Sequence, residues 1–277
     1  MRSYQQVGGL GTPFFGSPTA YRRGSSSAGG GGGGTGAGSG LLEYLRRVVD
    51  PNQMDFDAAF EDILMLCSSH PQRMYKMASY RKHTKNHWAR DDPALAVVQI
   101  AFLVASSLAY ALAFHVRGGP VRYLLLALRA ILFDWLVVGL VVATACRWVA
   151  NRYLLQQRSH SVEQEVEWRY AFDIHCNAFL PFFLLTSVLH YFFLPLLLRP
   201  SLMALIASNA LFAIAFALYF YVTHLGYRAL PFLHRTQVFL YPSSLAVVLF
   251  FLFLVLGMLG EPYRFQATRV IAQVYYR

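Results

Sequence analysis

The sequence predicts an all-α integral membrane protein with five transmembrane helices, preceded by a short amphipathic helical cytosolic region. Three observations carry this. Of 277 residues, 56% are hydrophobic and only 14% charged, against about 25% charged in an ordinary soluble domain. Mean hydropathy is +0.39. The apolar residues are also blocked into nearly uncharged runs, each long enough to cross a hydrocarbon core about 30 Å thick at 1.5 Å per residue.

The elements follow in order. Residues 1–40 end in "SSSAGGGGGGTGAGSG", which has too little apolar surface to offset the entropy of ordering. They read as a disordered tail without an apolar signal-peptide core, so the first span is expected to act as the targeting signal. Order should begin near Leu41, and residues 41–93 form a juxtamembrane region. There, "DPNQMDFDAAFEDILMLCSSHP" places Phe56, Phe60, Ile63 and Cys67 on one helical face. Asp55, Asp57, Glu61 and Asp62 lie in its first turns, where carboxylates favour the positive helix end. Next, "QRMYKMASYRKHTKNHWARDD" holds Arg73, Lys76, Arg81, Lys82, Lys85 and Arg90 with interleaved Tyr75, Tyr80 and Trp88. This reads as a helical segment at the membrane surface, with Arg73, Lys76, Arg81, Lys82, Lys85, Trp88 and Arg90 facing anionic headgroups or a partner.

The spans are expected at about 94–116, 125–150, 176–198, 202–224 and 238–260, leaving 261–277 as a C-terminal tail. Pro93 suits the first helix start, with Asp91 and Asp92 beside it. The second span begins somewhere between Val121 and Ala130, because Arg129 and Asp134 interrupt it. Pro181, Pro195 and Pro242 fall within or near span ends, where kinks are tolerated. Twelve Lys/Arg flank the spans on the N-terminal side against seven on the other, which favours a cytosolic N-terminus and a luminal C-terminus.

Chemistry has few candidates. "EVEWRYAFDIHCNAFLP" (165–181) crowds Glu165, Glu167, Arg169, Asp173, His175, Cys176 and Asn177 before the third span. On a helix Asp173 and Asn177 share a face and His175 points elsewhere. The simplest reading is a polar lead-in, with Trp168 and Tyr170 as interfacial anchors and Asp173 and Asn177 binding helix-start amides. Partner recognition and metal binding are the alternatives. His83 and His87 stand four apart, a spacing that binds zinc only with a third ligand. The three cysteines (Cys67, Cys146, Cys176) are too scattered for a disulfide framework.

Asp134 lies within or beside a span, where an ionised group costs roughly 2.5–3.5 kcal/mol at mid-membrane. Gln99, Thr186, Ser187, His190 and Asn209 are further embedded polar groups, which interhelical hydrogen bonding explains. A transporter or membrane enzyme would need Asp134, His190 and Asn209, with Asp173 and His175, to converge on one cavity. RNA binding through the basic segment would use Tyr75, Tyr80 and Trp88 as stacking platforms, favoured by a net charge of +10. No nucleophile–base pair, metal motif or phosphate loop is recognisable, and neither catalysis nor a cofactor is expected.

"QMDFDAAFEDILMLCSSHPQRMYK" followed by "YRKHTKNHWARDDPA" resembles the signature of the UNC-fifty (uncoordinated-fifty) family of Golgi multi-pass membrane proteins. "VEWRYAFDIHCNAFLP" and "YFYVTHLGYRALPFL" are similar to that family's third-span start and fourth-span end. The resemblance implies a five-span protein of the Golgi and early secretory pathway, without enzymatic activity. It further implies traffic of assembled receptors, engagement of Arf guanine-nucleotide exchange factors or coat machinery, and an attributed RNA-binding activity. The expectation is an adaptor whose working face is the 41–92 region with the loops near 147–175 and 225–237.

Overall fold

The computed structural model describes residues 54–276 except Ser69, Asn86, Asp91, 157–163 and 261–263, and except the side chains of Met77, Arg81 and Lys85. The expectations for residues 1–40, for order beginning at Leu41 and for Asp91 lie outside the described residues.

Among the described residues the fold is all-helical, with five helices long and apolar enough to cross a membrane. Two short helices come first, α1 (Phe56–Cys67) and α2 (Gln72–Lys85). The spans are α3 (Ala94–Ala113), α4 (Gly119–Leu154), α5 (Trp168–Leu197), α6 (Leu202–Arg228) and α7 (Tyr241–Met258), the last reached through a 3₁₀ turn at Thr236–Leu240. A final helix, α8 (Ala267–Tyr276), follows where a tail was expected. It forms because its polar and aromatic side chains find partners in the bundle.

Span ends obey local chemistry. Asp55 caps α1 by accepting from Ala58 N at 3.0 Å. Asp92 accepts from Ala94 N at 2.9 Å through one carboxylate oxygen and from Asp55 N at 2.8 Å through the other, tying the start of α3 to the start of α1. Ser201 caps α6 through Ala204 N. The second span begins at Gly119, earlier than its charges suggested, and passes through wide π-helical turns at Ala130–Val137 and Ala150–Leu154.

The larger difference is at α5. The helix starts at Trp168 rather than near Cys176. Asp173 therefore sits in its second turn and Asn177 a turn later, so neither caps it. Its side chains from Ile174 to Pro181 are all buried, which makes α5 the central helix. α4 and α6 flank it, and α1 and α3 also touch it. Two glycines admit it closely: a Cβ on Gly139 would lie 2.5 Å from the His175 ring, and one on Gly226 would lie 2.7 Å from Ile174. Small residues let backbones approach where lipid supplies no hydrophobic drive between helices. By contrast α7 packs chiefly on α6 and is otherwise exposed along its apolar length.

Near Pro181 of α5 a carboxamide ties three helices together. Pro181 lacks the N–H that would bond the Asn177 carbonyl. At the neighbouring carbonyl of Cys176, Gln99 donates from α3 at 2.6 Å, while its oxygen accepts from Trp135 Nε1 at 3.0 Å. One carboxamide thus joins α3, α4 and α5.

Candidate functional site

Polar side chains gather at the two ends of the bundle. At the N-terminal end the organising group is Arg90, on the segment between α2 and α3. Its guanidinium lies 3.4 Å from Asp62 on α1 and 3.7 Å from Asp173 on α5, and donates to Asn177 Oδ1 at 2.8 Å. Only 11% of the Arg90 side chain is exposed. Burial opposes its charge, yet the Asp173 and Asp62 carboxylates hold its pKa above the ordinary arginine value. The i, i+4 spacing of Asp173 and Asn177 presents both to this one cation. Tyr75 on α2 donates to the Val222 carbonyl of α6 at 3.2 Å, and burial pushes its phenol well up.

Around this cluster the loops interlock. Asn151 Oδ1 accepts from Val166 N at 2.9 Å, and Arg147 Nε donates to Val166 O at the same distance. Leu155 and Leu233 form an antiparallel bridge, and His234 N donates to Leu154 O at 2.9 Å. The segments after α4 and after α6 therefore share one face with α1 and α2.

This geometry corrects several expectations. Trp88 and Arg90 do not face headgroups: Trp88 is buried with ring centres 6.1 Å from Tyr170 and from Phe232. Tyr170 is buried too, donating to Gly226 O at 2.9 Å, so it is no interfacial anchor. Trp168 remains partly exposed, with its indole N–H on Thr144. Arg73 and Lys76 are exposed and Lys82 is half-buried. With Tyr75 and Trp88 buried, Tyr80 is the exposed aromatic left of the three nominated for base stacking. α2 ends at Lys85, so His87 is off the helix and does not line up with His83; its ring contacts Ala89 O. Among the described residues no His, Cys, Asp and Glu side chains group as a metal site.

α1 is rotated from expectation. Its buried residues are Ala59 and Leu66, with Asp62 and Ile63 half-buried. Phe56, Phe60, Leu64 and Cys67 are exposed, with Phe60 at 52% and Leu64 at 70%. Asp57 and Glu61 are exposed beside them. The ion pair to Arg90 fixes Asp62 inward and so turns the predicted apolar stripe outward.

The opposite end is built around α8. His190 bridges Tyr110 OH at 2.6 Å and Thr268 Oγ1 at 2.9 Å. Ser208 Oγ lies 2.7 Å from Thr268 Oγ1 and accepts from Thr268 N at 3.0 Å. Asn209 donates to Phe265 O at 2.9 Å and accepts from Ala267 N at 3.0 Å, while Gln266 donates to Leu197 O. Asp134 accepts from Tyr275 OH at 2.7 Å, and the Arg129 guanidinium carbon sits 3.9 Å from the centre of the same ring. Burial and that bond push the Tyr275 phenol up to about 12.

The residues that a transporter would need do not meet. Asp173 serves Arg90. His175 bonds Tyr219 OH at 2.7 Å inside the bundle. Asp134, His190 and Asn209 all hold residues 265–276 in place. Gln99 makes the interhelical hydrogen bonds expected of it, whereas Tyr219, Ser208, Thr268 and Tyr275 are partners the sequence did not nominate; single buried hydroxyls carry no spacing signal.

The sequence profile of the UNC-50 family matches residues 44–265. The chain belongs to the UNC-50 family. It is 45% identical over 218 residues to the protein unc-50 homolog of Dictyostelium discoideum, spanning 78% of this chain and 83% of that protein. To the Homo sapiens unc-50 homolog it is 39% identical over 222 residues, 80% of this chain and 84% of that one. To protein unc-50 of Caenorhabditis elegans it is 39% identical over 211 residues, covering 76% and 68%. No solved structure matches the chain. The UNC-50 match takes in the Arg90 cluster and all five spans and stops at Phe265, just before α8.

Proposed function

We propose that this UNC-50 protein is a membrane adaptor of the Golgi and early secretory pathway. Its N-terminal face, comprising α1, α2 and the segments after α4 and α6, is cytosolic and engages a soluble Arf guanine-nucleotide exchange factor or associated coat machinery. Through that engagement it supports vesicle-mediated delivery of assembled receptors.

The observation that supports this reading is the outward stripe of α1. Phe56, Phe60 and Leu64 recur every four residues on an exposed helical face. An amphipathic helix of this kind is read by a groove that takes i, i+4 and i+8 anchors. Asp57 and Glu61 on the same surface disfavour an anionic membrane as the occupant and suit a groove rimmed with basic side chains. Exposed Arg73 and Lys76 on α2 support contact with anionic headgroups, at about 1 kcal/mol each near the surface.

The test is co-purification from detergent-solubilised cells. Phe60→Ser with Leu64→Ser is expected to lose the exchange factor while the melting temperature stays near wild type, because neither side chain supports the core. Unchanged recovery would refute the reading. Removing residues 41–92 outright is the poorer experiment, since Arg90, Trp88 and Tyr75 hold the bundle.

A further inference from the structure

At the α8 end, a cavity of about 500 Å³ opens between the end of α3, the end of α5 and one face of α8. It is lined by Phe114, Leu198, Arg269, Ala272, Gln273 and Tyr276. Arg269, Gln273 and Tyr276 stand at i, i+4 and i+7, so one face of α8 supplies the polar wall. The opposite wall is apolar, with Phe114 stacked on Tyr276 at 4.9 Å. Among the described residues no carboxylate lines the cavity. Arg269 donates to the Leu198 carbonyl at 3.4 Å, and no described carboxylate lies within ion-pair distance of it.

The surrounding charge is one-sided. Among the described residues this end carries Arg117, Arg199, Arg264 and Arg269, with Arg122 and Arg129 in the first turns of α4, against Asp134. Asp134 is taken by Tyr275. Depth also matters: Phe114 and Leu198 are the first residues past α3 and α5. The cavity therefore sits where a span meets the headgroup layer, with a guanidinium on one side and apolar rings on the other.

We propose that this cavity binds a phosphate group, held by Arg269 and Gln273, with a phospholipid of the adjoining leaflet as its source. Arginine offers a planar fork of donors that matches phosphate oxygens, and Gln273 adds carboxamide donors. The apolar wall of Phe114, Leu198 and Tyr276 receives the glycerol and upper acyl carbons. The volume falls in the ordinary range for small-ligand sites, about 300–1,000 Å³. This site lies at the other end of the bundle from the proposed adaptor face and does not depend on it.

The test uses full-length protein in phosphatidylcholine nanodiscs containing a photoreactive phosphatidic acid. Adducts are expected on α8 or near Phe114, reduced roughly fivefold or more in Arg269→Gln and only partly restored in Arg269→Lys, which keeps the charge but loses the fork. Excess inorganic phosphate distinguishes the source: failure to compete assigns the site to lipid, and full competition assigns it to a soluble phosphate. Should Arg269→Gln lower the melting temperature, Gln273→Glu is the alternative, since it places a carboxylate beside Arg269 and should reduce labelling equally. Adducts confined to other surfaces, or labelling unchanged in both variants, would overturn the proposal.

Discussion

Arg90 shows how one cation can set the geometry of two helices. It contacts α1 through Asp62 and α5 through Asp173 and Asn177. Replacing it by leucine leaves two mostly buried carboxylates facing each other without a counter-charge, which should cost about 3 kcal/mol. Thermal unfolding in detergent should show this, and Asp173→Asn in the same chain should restore part of the loss. The double variant recovering nothing would mean that Asp173 does not depend on Arg90. A second residue-scale prediction concerns Gly139. A Cβ there would lie 2.5 Å from an imidazole already bonded to Tyr219, so Gly139→Ala should destabilise by about 1–3 kcal/mol. His175→Ala combined with it should relieve the clash, and additive losses in melting temperature would argue against this contact.

Among the elements, α8 is the least expected and the most heavily tethered. Asp134, His190 and Asn209 read from sequence as polar groups within or beside spans, and they and Ser208 each bind the same C-terminal segment. Tyr275 gives this docking a pH signature. Its folded pKa, about 12, lies above the value near 10 of a free phenol. The stabilisation is thus complete below about pH 10 and lost as pH rises toward 12. Proteolytic sensitivity of α8 should rise across that window in wild type, and Tyr275→Phe should flatten the rise. An identical rise in the Phe variant would assign the transition to another group.

The elements also show what could be read in the sequence and what could not. The five spans were legible because lipid demands a minimum apolar length, which any window along the chain reveals. The start of α5 was not. Asp173 reads as a reason to stay in water until Arg90, distant in sequence, is known to neutralise it. The stripe on α1 was legible as a stripe, but its direction depended on the same ion pair. Tyr170 and Trp88 read as interfacial aromatics because composition does not distinguish a ring at the headgroups from one packed under a loop. The nominated polar residues were real features, and their partners were long-range.

Taken as a whole, the molecule is a five-span bundle closed by different means at its two ends. One end is joined by an ion cluster and interlocked loops, and the other by a docked helix. Mid-bundle polar groups such as Gln99 and His175 join neighbouring helices and do not line a shared path. That distribution suits a protein that works from its surface. Its central claim is that the exposed face of α1 meets a soluble protein. The most direct measurement is site-specific photo-crosslinking in cells, with the reactive side chain at Leu64 and, as a control, at Phe192, which is 75% exposed on the membrane-spanning part of α5. The account predicts adducts with an Arf exchange factor or coat protein from Leu64 and lipid adducts from Phe192. Lipid adducts alone from both positions would contradict it.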